Sequence, residues 1–539
     1  MAPEGTTPAK LPLRDQLAMA RPFVTIAELV PWRGTLELAA GQRALTAALD
    51  LVGDPRIAAI SITDNAGGHA VLTPQTLAEE FLRRGQDVIV HVACRDRSRN
   101  ALLSMGLELA SLGVRNVLAL SGDYPVEGFS GLSRSVFDID SVGLLAMYAG
   151  LDRELAADML SRAKGDAGSA PGAATLPASG EPLFLGAVVN NHKRLEAEVM
   201  TQYFKLVLKV RTGARYIIEQ VGYDARKQDE LLRWMRLRGL DVPVIANIYV
   251  LSGTVARMFH ENRIPGCVVT DALLEVAQRQ AASPDKGRAF FLEFAAKQVA
   301  IARGLGYAGA YLSGHLKSAD YDRILRLADS FAPDDWRAFA RDIRYAQPGE
   351  FHYFEEDRAT GLASDRVNRA YVLSRRAAAR RRARLRAPLD YRLSRLAHRY
   401  VFKPGVAGFR AGAALYRYIE GSPLERPLHA LEQASKIPFY DCRDCGDCSL
   451  PDVAYLCPES QCAKNQRNGP CGGSHGGVCE VPEKQCIWVR AYERLKAWGE
   501  EDRMLERLPV VQDNALRRTS AWANTFLGRD HFAAGERKE

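Results

Sequence analysis

The 539-residue chain has no run approaching 18 uncharged apolar residues, so no membrane-spanning helix is expected. Its first residues, MAPEGTTPAKLPLRDQLAMA, lack the apolar centre of a secretory signal, and the chain is expected in the cytoplasm. There is no internal repeat, and no G-x-G-x-x-G follows a strand-like run. No lysine stands at a strand end to form a Schiff base, which argues against an aldolase. Cysteine is almost missing from the first 440 residues, where only Cys94 and Cys267 occur. Acidic residues are missing from RRAAARRRARLR (375–386), whose seven arginines account for nearly all of the net charge of +8. That run also lacks interleaved aromatics for stacking bases. It reads first as a solvated helical connector, then as a docking patch for an acidic redox partner, and only then as a nucleic-acid contact.

What is present is ordinary for a globular protein of two or three domains: 47% apolar and 25% charged residues. From about residue 20 to 330, short apolar runs alternate with longer segments of 3.6-residue periodicity. The runs are FVTIAEL (23–29), AAISIT (58–63), DVIVHVA (87–93), NVLALS (116–121), LFLGAVVN (183–190), RYIIEQV (215–221), VPVIANIY (243–250) and YAGAYLS (307–313). Each is nearly continuous in apolar residues, as a strand covered on both faces must be. TPQTLAEEFLRRG (73–85) and RNALLSMGLELASLG (99–113) read as helices, with Thr73 as an N-cap and Gly85 and Gly113 as stops. Eight such units predict an α/β fold, a (β/α)8 barrel. The insert KGDAGSAPGAATLPASGEP (164–182) predicts a loop. The organisation expected is a barrel over 1–330, a helical connector over 331–435, and a small cysteine-rich, metal-binding domain with C-terminal helices over 436–539.

Barrels of this kind work at the C-terminal ends of their strands. The polar residues there are Glu28, Thr63, His91, Ser121–Gly122–Asp123, Asn190–Asn191, Gln220, Asn247 with Tyr249, and Ser313–Gly314–His315. Glu28 stands out, because an unpaired carboxylate inside an apolar strand is costly to bury. A lone histidine such as His91 is more often a satisfied core residue than a catalyst.

The other eight cysteines are Cys442, Cys445, Cys448, Cys457, Cys462, Cys471, Cys479 and Cys486. Such clustering in a cytoplasmic protein points to metal rather than disulfides. The C-x2-C-x2-C spacing with a later Cys-Pro resembles bacterial ferredoxins, although the gap before Cys457 is longer. Tetrathiolate zinc is the structural alternative. Zinc-like cysteines beside the arginine run would also suit a nucleic-acid-binding protein.

Over residues 20–330 the chain resembles methylenetetrahydrofolate reductase, a flavoprotein family. The likeness lies in AELVP (27–31), VHVACRDRSR (90–99), NVLALSGDYP (116–125) and KVRTGARYIIEQVGYD (209–224). SVFDIDSVGLL (135–145) resembles the branch of the family found with a cysteine-rich partner domain. The resemblance implies interconversion of 5,10-methylenetetrahydrofolate and 5-methyltetrahydrofolate by hydride transfer. It implies Glu28 as general acid and Asp123 as a carboxylate near flavin and pterin. Gln220, with Tyr249 on the next strand, would contact the folate. Thr63, Ala66, His91, Ser121, Gly122, Asp123 and Lys209 fall at cofactor-binding positions. Two departures touch the ribityl and phosphate end of the flavin and leave FAD or FMN open. Ser121 stands where family members have arginine, and VVNNHKR (188–194) replaces a tyrosine and a histidine.

Residues 436–496 resemble the C-terminal domain that accompanies these reductases in acetogens. That implies one or two [4Fe–4S] clusters, with zinc possible in one site, delivering electrons to the flavin. The electron donor, whether ferredoxin, a flavoprotein or NAD(P)H, stays open, as do the direction of the reaction and assembly into a homo-oligomer. The family binds nicotinamide without a G-x-G-x-x-G.

Overall fold

The computed structural model describes residues 10–19, 23–126, 128–165, 183–378, 387–481 and 483–536. Eight parallel strands close in sequence order: β1 (Val24–Leu29), β2 (Ile57–Ile62), β3 (Val88–Ala93), β4 (Asn116–Leu120), β5 (Phe184–Val189), β6 (Tyr216–Glu219), β7 (Val244–Tyr249) and β8 (Gly309–Ser313), with β8 returning to β1. Each contains or nearly coincides with one of the apolar runs. A short helix α1 (Leu13–Leu17) precedes them. The connecting helices are α2 (Ala39–Leu49), α3 (Pro74–Leu82), α4 (Arg99–Leu112), α5 (Ser141–Gly165), α6 (Glu196–Thr212), α7 (Ala225–Leu237), α8 (Gly253–His260), α9 (Asp271–Ala281), α10 (Arg288–Leu305) and α11 (Ser318–Ser330).

The interior is packed, not hollow. Ile26, Ala59, Ile89, Leu118, Tyr216, Ile218, Ile245 and Tyr311 form one buried cluster. Leu13 and Leu17 of α1 join it at the end away from the strand C-termini, with the Leu13 amide bound to the Asp87 carboxylate at 2.8 Å. Gly186 of β5 is small because Tyr216 needs the space: a Cβ there would sit 2.2 Å from the tyrosine ring. Helix α4 follows its sequence signals, with Ser98 accepting from the Ala101 amide and Gly113 left-handed at φ 82°. Thr73 does occupy the N-cap of α3, but its hydroxyl makes no cap bond and Pro74 begins the helix. The loop expected over 164–182 falls at the end of α5 and, from 166 on, outside the described residues.

Residues 331–435 were expected to be helices and connectors. They also contain a two-stranded antiparallel sheet, β9 (Phe354–Glu356) and β10 (Ala363–Val367), a short addition to a mostly helical region. The strands are too short and polar to carry a periodic signal. They are held instead by α7, where Glu230 accepts from the Phe354 amide and Asp229 from that of Ala363. Of the arginine run, Arg375 lies on a helix (Arg369–Ala378) and pairs with Glu501 and Asp502 at 2.5 and 2.6 Å. Residues 379–386 lie outside the description. Among the described residues no helix is long and apolar enough to cross a membrane.

The cysteine-rich region is not an appendage. Val453, Leu456, Trp488, Tyr492 and Leu495 belong to the same apolar cluster as the barrel helices. Helix α6 is sandwiched between the two, and every residue from Ala197 to Lys209 is buried. Asp140, itself buried, accepts from the Val142 and Gly143 amides of α5 and from the backbone and side-chain nitrogens of Asn468. Asp140→Ala is expected to destabilise the protein by about 3 kcal/mol, because two buried donors of Asn468 lose their acceptor. Denaturant midpoints of the two proteins measure it, and an unchanged midpoint contradicts the coupling.

Candidate active site and cysteine centres

Alternation along each strand points Glu28, Ser61, His91, Asn247, Tyr311 and Ser313 into the mouth of the barrel. Glu28 is half-buried and its carboxylate accepts from the Tyr311 hydroxyl at 3.1 Å. Burial pushes its carboxyl up to about 7, more than the bonds from Tyr311 and the Gly314 amide pull it down. His91 is fixed by Ser61 at 2.9 Å, and burial lowers it to about 3, so it is neutral. Tyr249 is pushed up to about 12 by burial and by the nearby Glu28 charge.

Three loops meet beside this pocket. The turn after β2 carries Thr63, Asp64, left-handed Asn65 (φ 49°) and the short helical turn Ala66–Gly68. The Gly67 amide donates to Asp123 at 2.9 Å. Arg95, after β3, donates to the Asp123 carbonyl at 3.0 Å and pairs with Asp96. Arg95 is almost fully buried and stitches the loops after β2, β3 and β4 together; only the charge-rich string ACRDRSRN hinted at it. Cys267 also reaches this pocket: burial first, then the Asp123 and Glu28 carboxylates, push its thiol up to about 12. Gln220, just beyond β6, accepts from the Val221 amide. Thr63 Oγ1 is buried with no hydrogen-bond partner among the described residues.

Of the remaining candidate residues, Ser121 and Gly122 meet the cysteine-rich region instead. Ser121 donates to the Gln466 side chain at 3.0 Å, and the Gly122 carbonyl accepts from Lys464 at 2.9 Å. Lys209 donates to the Val188 carbonyl, and burial lowers it to about 7. Around them Lys205 binds Gln466, Gly469 and Pro470, Asn190 binds the Gly472 carbonyl, and Lys193 binds those of Gly472 and Ser474. Glu198 takes the Ser474 hydroxyl and the Gly477 amide. The loop 464–477 therefore closes the rim over the ends of β4 and β5. These partners lie some 260–345 residues apart in sequence, so no local pattern announces them.

The eight cysteines divide in sequence order. Cys442, Cys445, Cys448 and Cys457 line one small pocket, beside Lys436, Tyr440 and Arg467. Cys462, Cys471, Cys479 and Cys486 line a second, beside Lys464, Glu480 and Trp488. The second quartet is the one next to the barrel, since Lys464 bridges its Glu480 and the Gly122 carbonyl. Amides of Gln466 and Gly473 donate to Cys462 and Cys471 sulfur at 3.5 and 3.4 Å.

A family model described as methylenetetrahydrofolate reductase matches residues 14–305, and one described as methylene-tetrahydrofolate reductase C terminal matches residues 422–514. No curated protein matches the chain. Among solved structures, an uncharacterized Clostridium thermocellum protein that binds two copies of 5-methyl-5,6,7,8-tetrahydrofolic acid is similar at 12% identity and TM-score 0.40, over 59% of this chain and 97% of that one. Orotidine 5'-phosphate decarboxylase from Lactobacillus acidophilus is similar at 13% and 0.28, over 57% and 100%. A 2,3-dimethylmalate lyase is similar at 11% and 0.32, over 59% and 84%.

Proposed function

The chain belongs to the methylenetetrahydrofolate reductase family, oxidoreductases acting on methylenetetrahydrofolate, and from that premise we propose that it interconverts 5,10-methylenetetrahydrofolate and 5-methyltetrahydrofolate with a flavin, fed with electrons through the cysteine quartets. The carrying observation is Glu28, a carboxyl in the barrel mouth whose proton is held up to about pH 7.

Opening the methylene bridge requires a proton on the leaving nitrogen, which leaves an iminium carbon ready for hydride. A carboxyl that is half protonated near neutrality suits that donation. Tyr311 orients it through a hydrogen bond. Asp123, held by the Gly67 amide on the loop after β4, offers a carboxylate that would stabilise a cationic iminium. Gln220 offers a side-chain amide for the polar edge of a folate, and Tyr249 offers a ring.

The family generally uses flavin, which when bound supplies the hydride. The ring end of this site fits it: Thr63 has an unmet hydroxyl, His91 is neutral, and Ala66 and Asp123 lie on adjoining loops. At the tail end, Ser121, the Gly122 carbonyl and Lys209 already have protein partners. A ribityl and phosphate tail, common to FMN and FAD, must exchange those partners to contact them.

One observation supports a cluster over zinc in the second quartet: amides of Gln466 and Gly473 are aimed at Cys462 and Cys471 sulfur, the usual means of tuning a cluster. A cluster when bound passes single electrons. The order Cys442–Cys457 quartet, Cys462–Cys486 quartet, barrel then makes the first quartet the entry for an external carrier. The reading further places the protein in the cytoplasm.

Anaerobic purification tests this. Flavin absorbance, iron with acid-labile sulfide, and oxidation of 5-methyltetrahydrofolate with an artificial acceptor are expected together. Two zincs with no sulfide would leave the reductase reading and retire the electron route, whereas no flavin and no acceptor reaction would overturn the function itself.

A further inference from the structure

Outside both sites, Asp224, Glu350 and His352 bring their ligand atoms within 4.8 Å of one another. Asp224 caps α7 just after β6, with one carboxylate oxygen on the Arg226 amide. Glu350 and His352 belong to a strap running over that turn. The strap is fixed by backbone bonds from Ala225 to Ile343, from Tyr345 to Tyr223 and from Phe351 to Arg194. Those backbone bonds bring the strap to the turn, and the Glu350 carboxylate is held there by the Gln347 amide at 2.7 Å.

Two of the converging atoms have no hydrogen-bond partner among the described residues, although both residues are more than nine-tenths buried: Asp224 Oδ2 and His352 Nε2. They lie 3.7 Å apart. That is too long for a hydrogen bond, and it suits two donors on one ion with bonds of about 2.0–2.2 Å. Lys227 does not relieve them. Its ammonium donates to the Phe351 carbonyl and stands 3.6 and 3.7 Å from Glu350 and Glu230. A buried carboxylate oxygen without a partner is costly. A third unpartnered buried atom, His192 Nε2, belongs to a ring packed on Gly222, two residues before Asp224.

We propose that Asp224, Glu350 and His352 form a divalent-cation site that clasps the 343–352 strap onto the turn after β6. One imidazole with two carboxylates selects a borderline ion of the manganese, iron or zinc class. The site lies four residues beyond Gln220, so the ion would hold the loop that carries that amide.

The test uses Mn2+ alone on the full chain after mild chelation. Thiolates disfavour Mn2+, so the cysteine quartets do not compete. Loss of about one equivalent of the free-ion EPR signal per chain is expected for the native protein. Asp224→Asn and His352→Gln should each weaken uptake at least about tenfold. Mn2+ should also raise the melting temperature of the native protein and leave that of His352→Gln unmoved, which covers the case in which Asp224→Asn fails to fold. No uptake by the native protein up to millimolar Mn2+, or equal uptake by native and variant proteins, overturns the site.

Discussion

Glu28→Gln is expected to slow reduction of 5,10-methylenetetrahydrofolate by about 10²–10⁴-fold, the usual contribution of a positioned general acid. The amide keeps the volume of the side chain and can still accept from the Tyr311 hydroxyl. It has no acidic proton to give the leaving nitrogen, so the bridge opens unassisted. Folding should survive: the native carboxyl is held up to about 7 by burial, which means its ionised form is the strained one, and a neutral group removes that cost. The informative comparison is rapid-mixing of each protein with dithionite and then with folate. Reduction of the bound flavin by dithionite should match in the two proteins while the folate step collapses in the variant. If the variant keeps more than about a third of the folate rate, Glu28 is not the proton donor. Tyr311→Phe sharpens the point in the other direction, since loss of its hydrogen bond should move the acid limb to higher pH.

The cysteine quartets give the second large effect. Cys445→Ser and Cys471→Ser break different cavities, so each should remove one metal centre and spare the other. If both quartets hold [4Fe–4S] clusters, iron should fall from about eight to about four per chain in either variant. The two should differ in the barrel. Cys471 accepts from the Gly473 amide in the loop that binds Asn190 and Lys193, so its loss should loosen the rim and weaken flavin retention. Cys445 lies away from that loop, bonded to the Asp447 carbonyl and lining the outer cavity. Loss of all iron from either single variant would show one shared centre. Retention of all of it would show that the quartets are not the ligands.

The barrel was legible because buried parallel strands must be continuous in apolar residues, and all eight such runs became strands. Glu28 was legible for the converse reason: a carboxylate in such a run is conspicuous. The tail end of the pocket was not. Ser121, seen alone, is a departure from the family's arginine. In the folded chain its hydroxyl serves Gln466, and Lys205 serves the same side chain. A loop more than 260 residues downstream thus takes over groups at the ends of β4 and β5, and no periodicity or spacing encodes such a contact. The division of the cysteines was hidden likewise. Their spacings fit several ligand sets, whereas the fold parts them into successive quartets. The β9–β10 sheet was missed because acidic residues of α7 hold its backbone, a tertiary cause that overrides a weak local pattern.

The most direct test is the pH dependence of a single turnover, in which reduced protein meets 5,10-methylenetetrahydrofolate and reoxidation of the flavin is followed. With Glu28 as proton donor the rate should be highest below about pH 7 and fall roughly tenfold per unit above it. Oxidation of 5-methyltetrahydrofolate, which needs the carboxylate, should instead rise through the same pH. A forward rate that is flat from pH 6 to 9, or whose limb persists unchanged in Glu28→Gln, would contradict the account.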